Sequence, residues 1–223
     1  MKPAEFTFAA DKPGILHYRF VLNQLKDEIT FANNTADVFV EVLEVKEKVL
    51  LLANSPHPDV AALKQAIESN KNYQCDIVYA QGNNADVKDY SLIIFHQLPS
   101  GAQTAQGIMA QAQQQKKSML FITGAQTSIS LFNGSQEAIK INSGNNSMTE
   151  ATASPETDFT LFNLSANALQ ALQSFPPLKV PFGDYKPAPA SVTLAWQKIG
   201  NVATKYPLIS FYQSLDSMES SDW

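Results

Sequence analysis

Hydrophobic and polar positions alternate through much of the first forty residues. Residues 16–22 and 36–42 both place apolar side chains at every second position, and turn residues precede each run, at 11–14 and at Asn33 and Asn34. Alternation of this kind predicts antiparallel strands with one buried face. We therefore expect residues 1–46 to form a β-rich segment of up to three strands.

Three strands are too few to enclose a core of their own, so the apolar face of this segment needs cover. We expect that cover to come from the next domain or from a second molecule, because an open strand edge also favours pairing between chains. A homo-oligomer is therefore a predicted partner state. The side chains expected at the covered face are Phe20, Phe31, Val38 and Val40.

The hydrophobic pattern changes near residue 47. Residues 48–53 form a continuous apolar run, which is typical of a strand buried on both faces of a parallel sheet. Further strands are predicted at 75–80, 91–95 and 118–123, with helices at 58–70 and 102–117. This order predicts an α/β domain over residues 47–214, with a mainly parallel, flavodoxin-like sheet and flanking helices.

The pattern is weaker beyond Gly124, where Asn, Gly and Ser interrupt the apolar positions. Residues 138–142 and 148–153 could form a hairpin. A helix is predicted at 166–174, with Ser165 or Asn163 as its N-cap. The last expected elements are strands at 192–199 and 208–212 and a polar tail at 215–223.

Charge and composition exclude several classes of partner. The net charge is −5, and Arg19 is the only arginine, so the chain lacks the basic surface that nucleic acids and anionic lipids require. No run of 18 apolar residues occurs, which argues against direct membrane insertion. A small molecule or another protein domain is the expected partner.

Ligands of open α/β sheets bind at the carboxyl ends of the strands, where the connecting loops diverge. The residues that follow the predicted strands are therefore the candidate ligand-binding residues. They are Asn54, His57, Asp59, His96, Gln97, Gly124, Gln126 and Thr127. The two histidines in this set could act as a general base or as ligand contacts.

The familiar motifs for cofactors and metals do not occur. The chain has no GxGxxG and no GxxxxGK[ST], its three histidines are scattered at 17, 57 and 96, and Cys75 is its only cysteine. We therefore expect no cofactor and no metal. A nucleophile on the tight turn after the fourth predicted strand would stand two residues after Gly124, and that position is Gln126. An amide cannot act as the nucleophile, so Thr127 or Ser128 could serve only if the turn were shifted.

Three segments resemble a class I glutamine amidotransferase-like domain. They are residues 48–59 (KVLLLANSPHPD), 89–99 (DYSLIIFHQLP) and 121–124 (FITG). More closely, these segments resemble the version in large bacterial proteins of the Bacteroidetes type, where the domain follows an immunoglobulin-like segment and, further upstream, membrane helices. Residues 20–44, which include EITFANNT, resemble the end of that segment.

The resemblance implies a fold that has lost its chemistry. It places Gln126 where active members keep the nucleophilic cysteine, and residues 96–101 where they keep a glycine-rich oxyanion turn. The histidine and glutamate that follow in active members have no counterpart, because no histidine follows His96. Glutamine hydrolysis then has neither nucleophile nor base.

We therefore expect a non-catalytic binding or scaffold domain. The resemblance implies that it belongs to a larger, membrane-anchored bacterial protein, that it lies in the periplasm or outside the cell, and that it contacts other domains of that protein. The alternative is a hydrolase or amidotransferase-like enzyme that uses His57, His96 and a hydroxyl of Thr123, Thr127 or Ser128.

Overall fold

A computed structural model describes residues 7–8, 13–23, 30, 34–42, 46–81, 85–144 and 147–213. The chain divides into two compact units, Met1–Lys46 and Glu47–Trp223. The predicted polar tail and Phe31 lie outside the described residues. None of the helices in the described ranges has both the length and the apolar content that crossing a membrane requires.

The first unit contains a two-stranded antiparallel hairpin. Strands β1 (Gly14–Val21) and β2 (Thr35–Val42) pair over their full lengths. The predicted alternation of exposure is present in β1, whose side chains alternate between exposed and half-buried. It is absent in β2, where all side chains except the half-buried Val42 are exposed. Asp37 accepts hydrogen bonds from Arg19 and lies beside the His17 ring. The described residues of this unit form two strands, and the predicted contact of its apolar face stays a prediction.

A four-stranded parallel sheet begins the second unit. Its strands are β3 (Glu47–Ala53), β4 (Tyr73–Tyr79), β5 (Leu92–His96) and β6 (Ser118–Ile122), in the spatial order β4, β3, β5, β6. Their positions agree with the four strands that the apolar runs predict. The side chains of β3 from Val49 to Ala53 are all buried, as a strand covered on both faces requires.

Helix α1 (Pro58–Glu68) connects β3 to β4, α2 (Gln106–Gln114) connects β5 to β6, and α3 (Ile129–Ser135) follows β6. The two faces of the sheet have separate cores, one around Leu50, Phe95 and Met109 and the other around Leu51, Val60 and Ile94. Pro58 occupies the first turn of α1, where its missing N–H has no carbonyl to bond. The helix predicted at 102–117 is shorter in the structure, where α2 begins at Gln106 and ends at Gln114.

The rest of the second unit is antiparallel. It consists of β7 (Ile139–Asn142), β8 (Met148–Pro155), α4 (Ala166–Ser174), β9 (Leu178–Pro181), β10 (Asp184–Pro187), β11 (Ser191–Ile199) and β12 (Val202–Tyr212). One sheet has the order β12, β11, β8, β9, and β7 pairs with β10. Helix α4 is capped by Ser165, whose hydroxyl accepts from Ala168 N–H at 3.2 Å. This agrees with one of the two caps that the sequence predicts.

The prediction of a mainly parallel, flavodoxin-like α/β fold is wrong. In the described part of the chain, eight of the twelve strands pair antiparallel and only four are parallel. The strands after residue 138 are mostly half-buried or exposed, so they need cover on one face only and can pair without helical crossovers. The suggested hairpin of 138–142 with 148–153 is also wrong, because β7 pairs with β10 and β8 pairs with β9 and β11.

Cys75 lies in β4 and is completely buried against α1. Burial raises the pKa of its thiol. Its backbone is held from α1 on both sides, because Lys64 Nζ donates to its carbonyl at 2.6 Å and its N–H donates to Glu68 at 3.1 Å. The thiol is therefore part of the core, as a lone cysteine in a strand predicts.

Candidate functional site

All eight predicted site residues lie at or just after the carboxyl ends of β3, β5 and β6. His96 is the last residue of β5, Asp59 is in the first turn of α1, and the other six lie in the connecting loops. These strands are neighbours in the sheet, so their carboxyl ends meet at one edge. The segment after β3 contributes Asn54, His57 and Asp59. Its backbone is joined to the end of β5, because Asn54 N–H donates to the His96 carbonyl at 3.1 Å. The polar side chains at this edge form two groups.

The first group is a network of amides and a hydroxyl. The Gln126 side-chain carbonyl accepts from the Asn54 amide and, at 3.3 Å, from the Ser55 hydroxyl. Asn54 in turn accepts from the Ser100 hydroxyl at 2.8 Å. Gln126 therefore joins three loops. The side chain at the turn after β6 is thus an amide that is hydrogen-bonded to other residues of the chain.

Gln97 closes the network from the second loop. Its backbone is in the left-handed region, with φ of 54°, and its side-chain carbonyl accepts from Gln126 N–H at 3.1 Å. Gly124 lies directly against this side chain, since a Cβ on Gly124 would come within 2.8 Å of Gln97 Cδ. The small residue at 124 is thus what allows Gln97 to reach across to the turn.

Thr127 is buried and bonded locally. Its hydroxyl accepts from Gly124 N–H at 3.0 Å, and its backbone pairs with Ser100 in an antiparallel bridge. Ser128 N–H donates to the Pro99 carbonyl at 2.8 Å, which fastens the same two loops. Among the described residues, no hydrogen bond joins an imidazole to the hydroxyl of Thr123, Thr127 or Ser128. The enzyme alternative therefore lacks a preformed pair of base and nucleophile.

The second group consists of His57, Asp59 and His96. His57 is the N-cap of α1, where its Nδ1 accepts from Asp59 N–H at 3.2 Å. The Asp59 carboxylate Oδ2 lies 3.3 Å from that Nδ1 and 3.7 Å from His96 Nε2. The two imidazole rings are 5.2 Å apart between centroids. The histidines at 57 and 96 thus converge on one carboxylate.

His96 is the buried member of this group. Its side chain is only 2% exposed, and its Nδ1 has no hydrogen-bond partner in the described structure. Burial lowers the pKa of the His96 imidazole, and the nearby His57 lowers it further, while Asp59 acts in the opposite direction. The lowered pKa of His96 favours the neutral ring, in which one nitrogen has a free lone pair.

Comparison with known proteins shows a weak structural similarity. No known family profile matches the chain, and no curated protein matches it in sequence. Among solved structures, a chain in the structure of PurLQS from Thermotoga maritima aligns with 16% identity and a TM-score of 0.41, over 69% of this chain and 75% of that chain. A similarity at this level identifies neither a family nor a function.

Two cavities accompany these elements. The smaller, of about 250 Å³, touches Gly124, Gln126 and Thr127 on the side of the turn that faces Met148 and Pro181. The larger, of about 530 Å³, lies in the antiparallel region between Tyr185, Gln197 and Tyr206. None of the eight predicted residues lines the larger cavity. Sequence patterns gave no signal for it, because its walls come from all six strands β7 to β12 and from the loops after β7 and β9.

One feature of the edge was not visible in the sequence. His57, Asp59 and His96 each offer a ligand atom, and these atoms lie within 4.8 Å of one another. Residues 57 and 96 are far apart along the chain, and only the adjacency of β3 and β5 brings them together. Sequence spacing alone gives no such cluster, and the signal that could have found it is the position of each histidine just after a parallel strand.

Proposed function

We propose that residues 47–213 form a non-catalytic binding or scaffold domain whose binding edge is the carboxyl end of β3, β5 and β6. The observation that carries the proposal is the Gln126 amide, which occupies the turn after β6 and is held by Asn54 and Ser55. A carboxamide in these contacts cannot form an acyl intermediate. The polar groups of the edge instead offer hydrogen bonds and charge to a ligand.

The wider setting of the proposal follows from the family resemblance, which is itself a prediction. It makes the domain a degenerate relative of class I glutamine amidotransferases within a larger, membrane-anchored bacterial protein. Its expected location is the periplasm or another compartment outside the cytoplasm, and its expected partners are other domains of the same protein. Self-association through the β1 and β2 hairpin is part of the same proposal.

Hydrolysis assays test the loss of chemistry. We expect glutamine and ester hydrolysis at background for the full chain and for Gln126→Cys. A cysteine at 126 gains no base, because no described imidazole is hydrogen-bonded to the Gln126 side chain, and a thiol of ordinary pKa is only about a few per cent thiolate at neutral pH. A known glutaminase assayed in parallel shows that the assay responds.

The enzyme alternative has its own signature in these assays. Turnover by the unmutated chain that disappears in His96→Ala or Thr127→Ala would overturn the proposal. Circular dichroism of each variant shows whether it is folded before its activity is compared. Turnover that persists in both variants but is lost in Gln126→Ala would overturn it as well, since that result would place chemistry on the amide network.

A further inference from the structure

We propose that His57, Asp59 and His96 bind a divalent transition-metal ion of the zinc type. The inference rests on the proposed binding function and deepens it, because it names the class of ligand that this edge of the sheet takes. Its evidence is separate from the amide network, since Gln126 and its partners are not part of the three-residue cluster.

The spacing of the ligand atoms matches a shared ion. Two ligands bound to one zinc ion at about 2.1 Å lie about 3.0–3.4 Å apart, depending on whether the geometry is octahedral or tetrahedral. Asp59 Oδ2 is 3.3 Å from His57 Nδ1 and 3.7 Å from His96 Nε2. All three ligand atoms lie within 4.8 Å of one another, so side-chain rotations that draw the two imidazole nitrogens closer would bring them onto one ion with Asp59.

His96 gives an independent reason to expect a ligand. An imidazole that is 98% buried normally has a hydrogen-bond partner, because an unpaired buried polar group is costly. The Asp59 carboxylate lies 3.7 Å from its Nε2, beyond hydrogen-bond distance, and its Nδ1 has no partner in the described residues. A metal ion between Nε2 and Asp59 would give Nε2 a strong partner, while Nδ1 would keep none among the described residues.

The chemistry of the donors selects the ion. Two imidazole nitrogens and one carboxylate suit Zn²⁺, Co²⁺ and Ni²⁺, whereas Mg²⁺ and Ca²⁺ take oxygen ligands. Three protein ligands leave at least one coordination position free for water or for a group from a partner. The positive end of the α1 dipole opposes a cation here, and the Asp59 carboxylate in the first turn offsets it.

Binding through His57 Nδ1 has a structural cost. That atom is now the acceptor of the α1 cap, from Asp59 N–H. The bond is long, at 3.2 Å, and the ring is exposed, so the ion would replace one weak contact of a side chain that is free to turn. Zinc binding should therefore change the first turn of α1 and leave the buried strands unchanged.

Calorimetric titration of Zn²⁺ into the chelator-treated full chain tests the proposal, with Co²⁺ absorption spectra as a second readout. We expect one ion per chain. His57→Ala and Asp59→Asn change exposed side chains and should fold, and each should weaken binding by at least about tenfold, since loss of even an outer partner of a metal ligand has that effect. His96→Gln removes the buried ligand of the three, and it should weaken zinc binding in the same way.

His17→Ala is the control, because His17 is the remaining histidine and also lies beside an aspartate, Asp37. Affinity and stoichiometry should not change in this variant. Absence of saturable binding, binding unaffected by His57→Ala and Asp59→Asn, or binding lost in His17→Ala would each overturn the metal site. If zinc binding is absent while hydrolysis stays at background, the result contradicts the metal site and leaves the proposed non-catalytic function standing. Zinc-dependent turnover that is lost in His57→Ala would keep the site and overturn the non-catalytic function.

Discussion

The parallel and antiparallel sheets of residues 47–213 place their polar groups differently. In β3 and β5 nearly every side chain is buried on one face or the other, so polar residues occur only where the strands end. In β11 and β12 many side chains are half-buried, and polar residues such as Thr193 and Gln197 stand within the strands. Strands buried on both faces therefore restrict polar side chains to the strand ends, whereas strands covered on one face carry them along their length.

The largest expected effect separates the cores of the two sheets. Leu51→Ala in β3 removes a fully buried side chain and should lower the free energy of unfolding by about 2–5 kcal/mol. Leu178→Ala in β9 removes a side chain that is 51% exposed, and should change the free energy of unfolding by less than about 0.5 kcal/mol. Urea denaturation measures both. Equal losses would show that the antiparallel sheet is as tightly buried as the parallel one.

Alanine substitutions at two glycines test how the parallel and antiparallel regions tolerate an added methyl group. A Cβ at Gly183, before β10, would meet the Asn142 backbone carbonyl at 2.5 Å, and backbone cannot move away easily. Gly183→Ala should therefore cost about 1–3 kcal/mol of stability. Gly124→Ala presses only on the flexible Gln97 side chain, so it should cost about 1 kcal/mol, the value of the displaced hydrogen bond to Gln126 N–H.

Gly101→Ala is the control for both, because a Cβ there meets nothing within 4 Å. Thermal or urea unfolding ranks the three variants. A double variant of Gly124→Ala with Gln97→Ala should show no extra loss from the alanine at 124, because the obstructing side chain is gone. An undiminished loss in the double variant would contradict the proposed contact.

The smallest effect is a pH dependence in the antiparallel region. Burial raises the pKa of Tyr185 to about 12, above its ordinary value of about 10, and its hydroxyl donates to the Pro181 carbonyl at 2.6 Å. The folded state therefore holds this proton more tightly than the unfolded chain. The resulting stability is complete below pH about 10 and is lost as the pH rises to about 12.

Tyr185→Phe isolates this effect from the other tyrosines and the lysines. Below pH about 10 the variant should be less stable than the parent chain by about 1 kcal/mol, because it lacks the hydrogen bond to Pro181. The difference should narrow as the pH approaches 12. A difference that stays constant in urea titrations across this range would contradict the raised pKa.

The parallel sheet was predictable because its signals are local. Each of its strands is a short apolar run, and Pro58 and Asp59 mark the start of α1 within two residues. The antiparallel pairing was not predictable in the same way. Strand β7 finds its partner β10 more than forty residues later, and its four residues contain no feature that distinguishes β10 from the nearer β8.

The candidate site likewise has a part that could be predicted from local sequence and a part that could not. Its residues could be chosen from the sequence because they follow predicted strands, and the structure places them at one edge. Their division into two groups could not be predicted, since it depends on which side chains reach one another across loops. The contact of Gln126 with Asn54 spans 72 positions, and that of His96 with Asp59 spans two separate strand ends.

Cys75 gives the parallel sheet an internal reporter of its own opening. It is the only thiol in the chain, it has no exposed surface, and its raised pKa keeps it protonated and unreactive in the native state. A thiol reagent can modify it only in molecules where α1 has separated from β4. The rate of labelling then reports how often α1 separates from β4. It therefore measures this local opening separately from the unfolding of the antiparallel sheet.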